Sequence, residues 1–171
     1  MSELILYLGG AKSGKTRLAL ARAKTYPPPH YYLATAQALD EEMAERIQRH
    51  QAERGNTWHT LENPLTPDLT LAELDKDGLI LLDCLTLWLS NLLVENDDSK
   101  WILSRVDNLL RAVQLYSGPV IIVSNEVGNG IVPINAMARK FRDLTGVANQ
   151  RLAAQADQVI LSVAGLEIKI K

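Results

Sequence analysis

The sequence predicts an α/β fold, a mostly parallel sheet with helices on both faces, and three observations carry that expectation. Apolar runs of strand length alternate along the chain with longer segments of helical period. One of those runs ends in a glycine-rich turn that opens a helix. Another, Leu79 to Leu82, ends in an acid, Asp83.

Leu4 to Leu8 reads as the first strand and Lys15 to about Tyr26 as the first helix, closed by Pro27, Pro28 and Pro29 because proline removes a donor and disfavours helix before it. Tyr31 to Ala34 follows as a strand. From Asp40 to Arg54 the period is helical, with Leu39, Met43 and Ile47 on one stripe, Asp40 as N-cap and Gly55 past the end. Gly55 to Asp77 reads as connective, with a short amphipathic piece at Leu71 to Leu74. Beyond the strand ending at Asp83, Leu85, Trp88, Leu89 and Leu92 mark a helix, and the polar group Glu95 to Ser99 interrupts it. Trp101 to Tyr116 is helical again, with Val106, Leu109, Leu110 and Val113 on one stripe. Val120 to Val123 is a buried strand leading into Ser124, Asn125 and Glu126, and Asn135 to Ala156 a long helix. Gln158 to Val163 and Glu167 to Ile170, separated by Ala164, Gly165 and Leu166, predict a terminal β-hairpin.

The turn after the first strand is Gly9-Gly-Ala-Lys-Ser-Gly-Lys-Thr16, which fits the Walker A or P-loop pattern. A polyphosphate needs many converging donors, and glycines let consecutive backbone N–H groups point inward where a Cβ would obstruct. Gly9, Gly10 and Gly14 are read as supplying that freedom, with Ala11, Lys12 and Ser13 completing the loop. Lys15 would set an ammonium on the phosphates, Thr16 a hydroxyl on Mg²⁺, and the following helix its positive end. These features predict the P-loop NTPase fold, RecA-like and three-layered, as one domain over residues 1–171 with a C-terminal β-hairpin.

In such a sheet ligands bind at the carboxyl ends of the strands. Thr35, Ala36 and Gln37 follow the second strand and either line a nucleotide site or begin a turn. Asp83 stands where a Walker B acid would hold Mg²⁺, directly or through water. Glu126 is a second acid, for the metal, for activating a hydroxyl, or for structure. His30 and His59 read as surface or edge residues. His50 shares a helix face with Arg46 and Arg54, four residues to either side. Flanking cations would keep its imidazole neutral and free to attack, while the arginines bound phosphate. From the residues alone, a solvated helix histidine is the more frequent outcome.

With 18 basic and 20 acidic residues the net charge is -2, so no global field draws nucleic acid or an anionic membrane. Cys84 is the sole cysteine, which excludes an intramolecular disulfide. Met1-Ser2-Glu3 puts no basic segment before the first apolar run, and no stretch reaches the length of a membrane span; a cytoplasmic setting is expected.

The chain resembles the bifunctional adenosylcobinamide kinase and adenosylcobinamide-phosphate guanylyltransferase family of cobalamin biosynthesis. The resemblance lies in the P-loop, Tyr32-Leu-Ala-Thr-Ala-Gln37, Asp40 through His50 with Arg54, Trp58-His-Thr-Leu-Glu62 and Leu81-Leu-Asp-Cys-Leu-Thr86. It continues in Ser124-Asn-Glu-Val-Gly-Asn-Gly-Ile-Val-Pro133, Phe141-Arg-Asp143, Gly146, Asn149-Gln-Arg-Leu-Ala153 and Ile168-Lys-Ile-Lys171. It implies phosphorylation of adenosylcobinamide with ATP or GTP, then transfer of GMP from GTP to the new phosphate with release of pyrophosphate. On this resemblance His50 is the GMP carrier, and Lys15 with the P-loop amides binds phosphate. Thr16 and Asp83 hold Mg²⁺, and further nucleotide contacts map to Thr35, Ala36, Gln37, Gln51, Ala52, Glu53, Arg54 and Glu62. Relatives often carry Arg at Lys12, Glu at Asp83, Met at Asn129 and His at Arg49; the shorter Asp83 makes water-mediated metal contact an alternative.

Two other readings compete. One is a small-metabolite P-loop kinase without transferase activity. The other is a nucleotide switch, against which stand the lack of an Asn-Lys-x-Asp motif and an Asp75-Lys-Asp-Gly78 that precedes its strand. Trp88, Leu89, Leu92, Leu93 and Trp101 read as an apolar surface, and relatives assemble as trimers, so a homo-oligomer is expected.

Overall fold

The computed structural model describes residues 3–38, 40–54, 57–74 and 77–171, and within helix 41–54 the side chains of 42, 46, 49, 50, 53 and 54 also lie outside the description. The elements run β1 (Leu4–Gly9), α1 (Lys15–Ala23), β2 (His30–Ala34), α2 (Glu41–Arg54), β3 (Trp58–Glu62), α3 (Pro67–Glu73) and β4 (Leu79–Asp83). Then come α4 (Leu85–Glu95), α5 (Ser99–Leu115), β5 (Val120–Asn125), α6 (Ala136–Gln155), β6 (Gln158–Val163) and β7 (Leu166–Lys169). The strands form one sheet in the order β3-β2-β4-β5-β1-β6-β7, parallel except where β7 returns antiparallel on β6.

Side-chain alternation along the central strands divides the core into two layers. Leu4, Leu6, Ile80, Leu82, Val120 and Ile122 meet α3, α4, α5 and α6 on one face. Ile5, Tyr7, Leu79, Leu81, Ile121 and Val123 meet Ala19, Leu20 and Ala23 of α1 on the other. Both faces are dry, so these strands read as unbroken apolar runs. No described side chain of α2 joins either core; Met43, Ile47 and Gln51 stand over the carboxyl ends of the strands.

Several expectations change. The stretch read as connective contains β3, an edge strand beside β2, and α3. Only Trp58 of β3 is buried, and its other residues are exposed or half-buried, which gives the segment the polarity of a loop. His30 is buried: its Nε2 lies 3.0 Å from the Tyr26 carbonyl and its ring 5.1 Å from that of Trp58. His59 is exposed on the edge strand as expected. Helix α1 ends at Ala23, before the prolines, in a turn closed by Thr25 and Tyr26 N–H bonds to Arg22 and Ala23 carbonyls. Asp40 caps α2 through its bond from the Met43 N–H, whereas the stripe residue Leu39 and the stop residue Gly55 lie outside the described residues.

The apolar surface expected around Trp88 is core. Trp88, Leu89, Leu92 and Leu93 are buried beneath α5 and α6, and Trp101 is half-buried against the same cluster. A broad apolar stripe such as that of α4 is what burial within one chain also produces, so this argument for self-association falls.

Candidate active site

Strand β5 lies between β1 and β4, so the loop after Gly9 and the acid ending β4 face one another across a single strand. The glycines of the loop have different reasons. A Cβ on Gly9 would sit 2.4 Å from Ser13 Oγ and 2.7 Å from the Ser162 carbonyl, and Gly14 has φ +91. Gly10 has open space and no positive φ; instead Lys12 takes the left-handed conformation, at φ 55. The Ser13 N–H closes the turn onto the Gly10 carbonyl at 3.2 Å. Lys15 is buried, and its Nζ donates to the same carbonyl at 3.0 Å.

Asp83 Oδ2 accepts two hydrogen bonds, from Thr16 Oγ1 at 3.0 Å and from the Tyr32 phenol at 2.7 Å. A hydroxyl that donates to a carboxylate keeps its lone pairs for a cation. No group of three or more His, Cys, Asp or Glu is assembled among the described residues. This donor set fits Mg²⁺, which keeps waters and takes one or two protein oxygens plus substrate phosphates. Thr16 and Asp83 are the residues that would hold it, and there it would neutralise phosphate charge.

Thr35 is fully buried and acts between strands. Its hydroxyl donates to the Cys84 carbonyl at 2.8 Å and accepts from the Cys84 N–H at 2.9 Å, tying the ends of β2 and β4 together. The Asp83–Cys84 peptide is cis. Asn91 Nδ2 bonds the Thr35 and Pro64 carbonyls, each at 2.9 Å, and fixes the chain on either side of the cleft.

A cavity of about 520 Å³ opens over this end of the sheet. Lys15, Thr16, Tyr32 and Asp83 line it together with Ala36, Gln37, Gln51, Glu62 and Asn125. Met43, Ile47, Pro64 and Leu87 give it an apolar wall. Gln51 Nε2 donates weakly to Glu62 Oε1 at 3.4 Å. Ala11, Lys12 and Ala52 are exposed. The side chains of His50, Glu53 and Arg54, like that of Arg46, lie outside the described residues, although their backbone belongs to α2.

Cys84 also lines the cavity, but burial, reinforced by the Asp83 charge, pushes its thiol up to about 12. It is a protonated structural group that accepts from the Leu87 N–H at the start of α4. Glu126 accepts from the Gly128 N–H at 2.7 Å, shaping the loop after β5. Sequence reasoning missed Tyr32 and Asn125. Asn125, the last residue of β5, donates its N–H to Thr86 Oγ1 at 2.7 Å; its position at a strand end beside the P-loop strand was the available signal.

The P-loop, the paired hydroxyl and acid and the crossed parallel sheet define a P-loop NTPase domain of RecA-like form. Two solved structures share this fold. The RadB recombinase superposes with a TM-score of 0.54 at 17% identity, covering 93% of this chain and 73% of that one. The second, solved as an ATPase domain, gives 0.53 at 13% identity, covering 93% and 68%.

Residues 5–170 match the cobinamide kinase / cobinamide phosphate guanyltransferase family, and the chain belongs to it. A bifunctional adenosylcobalamin biosynthesis protein, CobU, of Salmonella typhimurium is 45% identical, covering 98% of this chain and 99% of the relative. CobP of Pseudomonas aeruginosa, with the same bifunctional description, is 42% identical, covering 97% and 96%. CobU of Escherichia coli K12 is 39% identical, covering 98% and 99%.

Proposed function

We propose that this chain performs both transfers of its family at the one cavity, with the P-loop holding the phosphates and α2 carrying the guanylyl group. In the kinase step the aminopropanol hydroxyl of adenosylcobinamide attacks the γ-phosphorus of ATP or GTP. The new O–P bond forms as the bond to the β-phosphate oxygen breaks, the nucleoside diphosphate leaves, and the hydroxyl proton passes to solvent or a nearby base. Lys15 and the amides of Gly9 through Thr16 hold the triphosphate, and Thr16 with Asp83 places Mg²⁺.

In the second step an imidazole nitrogen of His50 attacks the α-phosphorus of GTP and displaces pyrophosphate. A phosphate oxygen of adenosylcobinamide phosphate then attacks that phosphorus, releasing the imidazole and forming adenosylcobinamide-GDP. A covalent carrier divides a displacement between two anions into two easier ones. Ala36, Gln37, Glu62 and the turn of α2 from Gln51 to Arg54 complete the nucleotide site, while Thr35, expected to contact the nucleotide, is fully buried beneath it and braces β2 to β4 instead. A cytoplasmic setting accords with the absence of any helix long and apolar enough to cross a membrane among the described residues. Assembly into a homo-oligomer rests on the resemblance alone.

One observation carries this reading: the cavity is lined jointly by Lys15, Thr16 and Asp83 and by Met43, Ile47 and Gln51 of α2. Position 50 follows Ile47 by three residues and Met43 by seven, the helical spacing of one face. The test is incubation with Mg²⁺ and α-labelled GTP without acceptor, followed by denaturation and mapping of retained label. An acid-labile, base-stable label on His50, discharged by adenosylcobinamide phosphate, is the expected result. No covalent label, with phosphorylation of adenosylcobinamide intact, would leave a kinase only.

A further inference from the structure

The last strand of the sheet adds nothing to its core. Every residue of β7 is exposed, and among the described residues its pairing is to β6 alone. The turn that joins the two strands, however, lies against the phosphate loop. The Gly165 N–H donates to the Ser13 carbonyl at 2.9 Å, and the Gly165 carbonyl accepts from Arg17 Nη2 at 3.1 Å. The two backbones approach so closely that a Cβ on Gly14 would stand 3.1 Å from the Gly165 Cα.

The turn is built for this approach. Ala164 and Gly165 have φ of 51 and +81, the left-handed pair that a two-residue type I′ hairpin requires. Tyr7, within β1, secures the returning strand through a 2.9 Å bond from its phenol to Glu167. The hairpin is thereby fixed to the strand that delivers the loop as well as to the loop itself.

The Ser13–Gly14 peptide is not among the cis bonds, and a trans peptide directs its carbonyl and its N–H to opposite sides. Tying the Ser13 carbonyl to Gly165 turns the Gly14 N–H away from the hairpin. We propose that the β6–β7 turn is a positioning element for phosphate binding: Gly165 sets the Ser13–Gly14 peptide so that the Gly14 N–H faces a bound polyphosphate, and Arg17 holds Gly165 in place. Preorganised backbone donors reach full strength only when no reorientation accompanies binding. An exposed strand at the end of the chain thus acts on the site through one peptide plane.

The proposal rests on residues 9–16 being a polyphosphate site, and inorganic tripolyphosphate with Mg²⁺ probes that site without base or corrinoid. Calorimetric titration would compare the wild type, Gly165→Ala and Arg17→Lys well below their melting temperatures, with thermal unfolding recorded for each. Gly165→Ala puts a Cβ at positive φ, 3.2 Å from Arg17 Nη2, whereas Arg17→Lys keeps the charge and removes the planar fork. The expected result is tripolyphosphate binding weakened on the order of tenfold in Gly165→Ala and about threefold in Arg17→Lys, as for hydrogen bonds to charged groups.

Wild-type affinity in the folded Gly165→Ala protein overturns the proposal, whatever its melting temperature. Should that variant fail to fold, Arg17→Lys decides, and wild-type affinity there overturns the proposal equally. Failure of the wild type itself to bind tripolyphosphate would instead remove the phosphate-site reading on which the proposal stands.

Discussion

The phenol of Tyr32 and the carboxylate of Asp83 meet at 2.7 Å across neighbouring parallel strands, and Thr16 donates to the same Oδ2. Two donors from different elements therefore fix the orientation of the acid. Tyr32→Phe removes one donor while keeping the ring, which is buried with its edge on Trp58 at 6.0 Å. The Mg²⁺ concentration that half-saturates binding of a fluorescent GTP analogue should rise about tenfold, with little change in metal-free binding. An unchanged Mg²⁺ dependence would leave Tyr32 a packing residue.

Thr35 makes a comparable prediction about stability. Its hydroxyl serves both the N–H and the carbonyl of Cys84 inside a fully buried site. Thr35→Val keeps the shape but strands the Cys84 N–H, whereas the Cys84 carbonyl keeps its bond from the Trp88 N–H at 3.2 Å, so the unfolding free energy in urea should fall by roughly 1–3 kcal/mol, the cost of one orphaned buried group. Thr35→Ser should recover most of that loss. Equal destabilisation by serine and valine would trace the effect to the methyl group instead.

These contacts also mark where sequence reasoning stops. Strands β1, β4 and β5 are legible because both of their faces are buried, leaving no polar interruption in Leu4 to Leu8, Leu79 to Leu82 or Val120 to Val123. Strand β3 is not, because an edge strand with one buried residue has the composition of a loop. In the site, the P-loop and Asp83 are local patterns whose spacing is itself the signal. The reach of Tyr32 to Asp83, the brace from Thr35 to Cys84 and the bond from Gly165 to Ser13 all depend on strand order. The apolar stripe of α4 fits a chain interior as well as an interface, and only the placement of α5 and α6 decides it.

Alkaline pH should destabilise the fold. Burial, then the Asp83 charge, raises the Cys84 thiol from 9.0 to about 12, and burial likewise raises Tyr116 from 10.0 to about 12. Tyr7 moves the same way through burial and its bond to Glu167. The unfolded chain releases these protons first, so it binds fewer protons than the native state between the two values. Stability from these groups is complete below about pH 9 and falls as pH rises towards 12. Urea midpoints measured across that range should decline, and Cys84→Ser should shift the onset upward from 9 towards 10. Native Cys84 should also resist iodoacetamide at neutral pH until denaturant is added, because the thiolate is the nucleophile. Rapid alkylation of the folded protein would contradict its burial.

Ile47 separates fold from function on a single helix. It lines the cavity beside Met43, is only half-buried, and belongs to neither core layer. Ile47→Ala should therefore change stability by less than about 1 kcal/mol, in the range of substitutions outside a packed core. By contrast, Leu82→Ala in the fully buried β4 should cost about 2–5 kcal/mol. If the apolar wall of α2 closes on bound nucleotide, Ile47→Ala should weaken GTP binding about tenfold, equivalent to roughly 1.4 kcal/mol of lost apolar contact. Label retained from α-labelled GTP at subsaturating concentration should fall in parallel. A variant that loses stability as Leu82→Ala does, yet binds GTP normally once folded, would return α2 to a structural part and separate position 50 from the nucleotide.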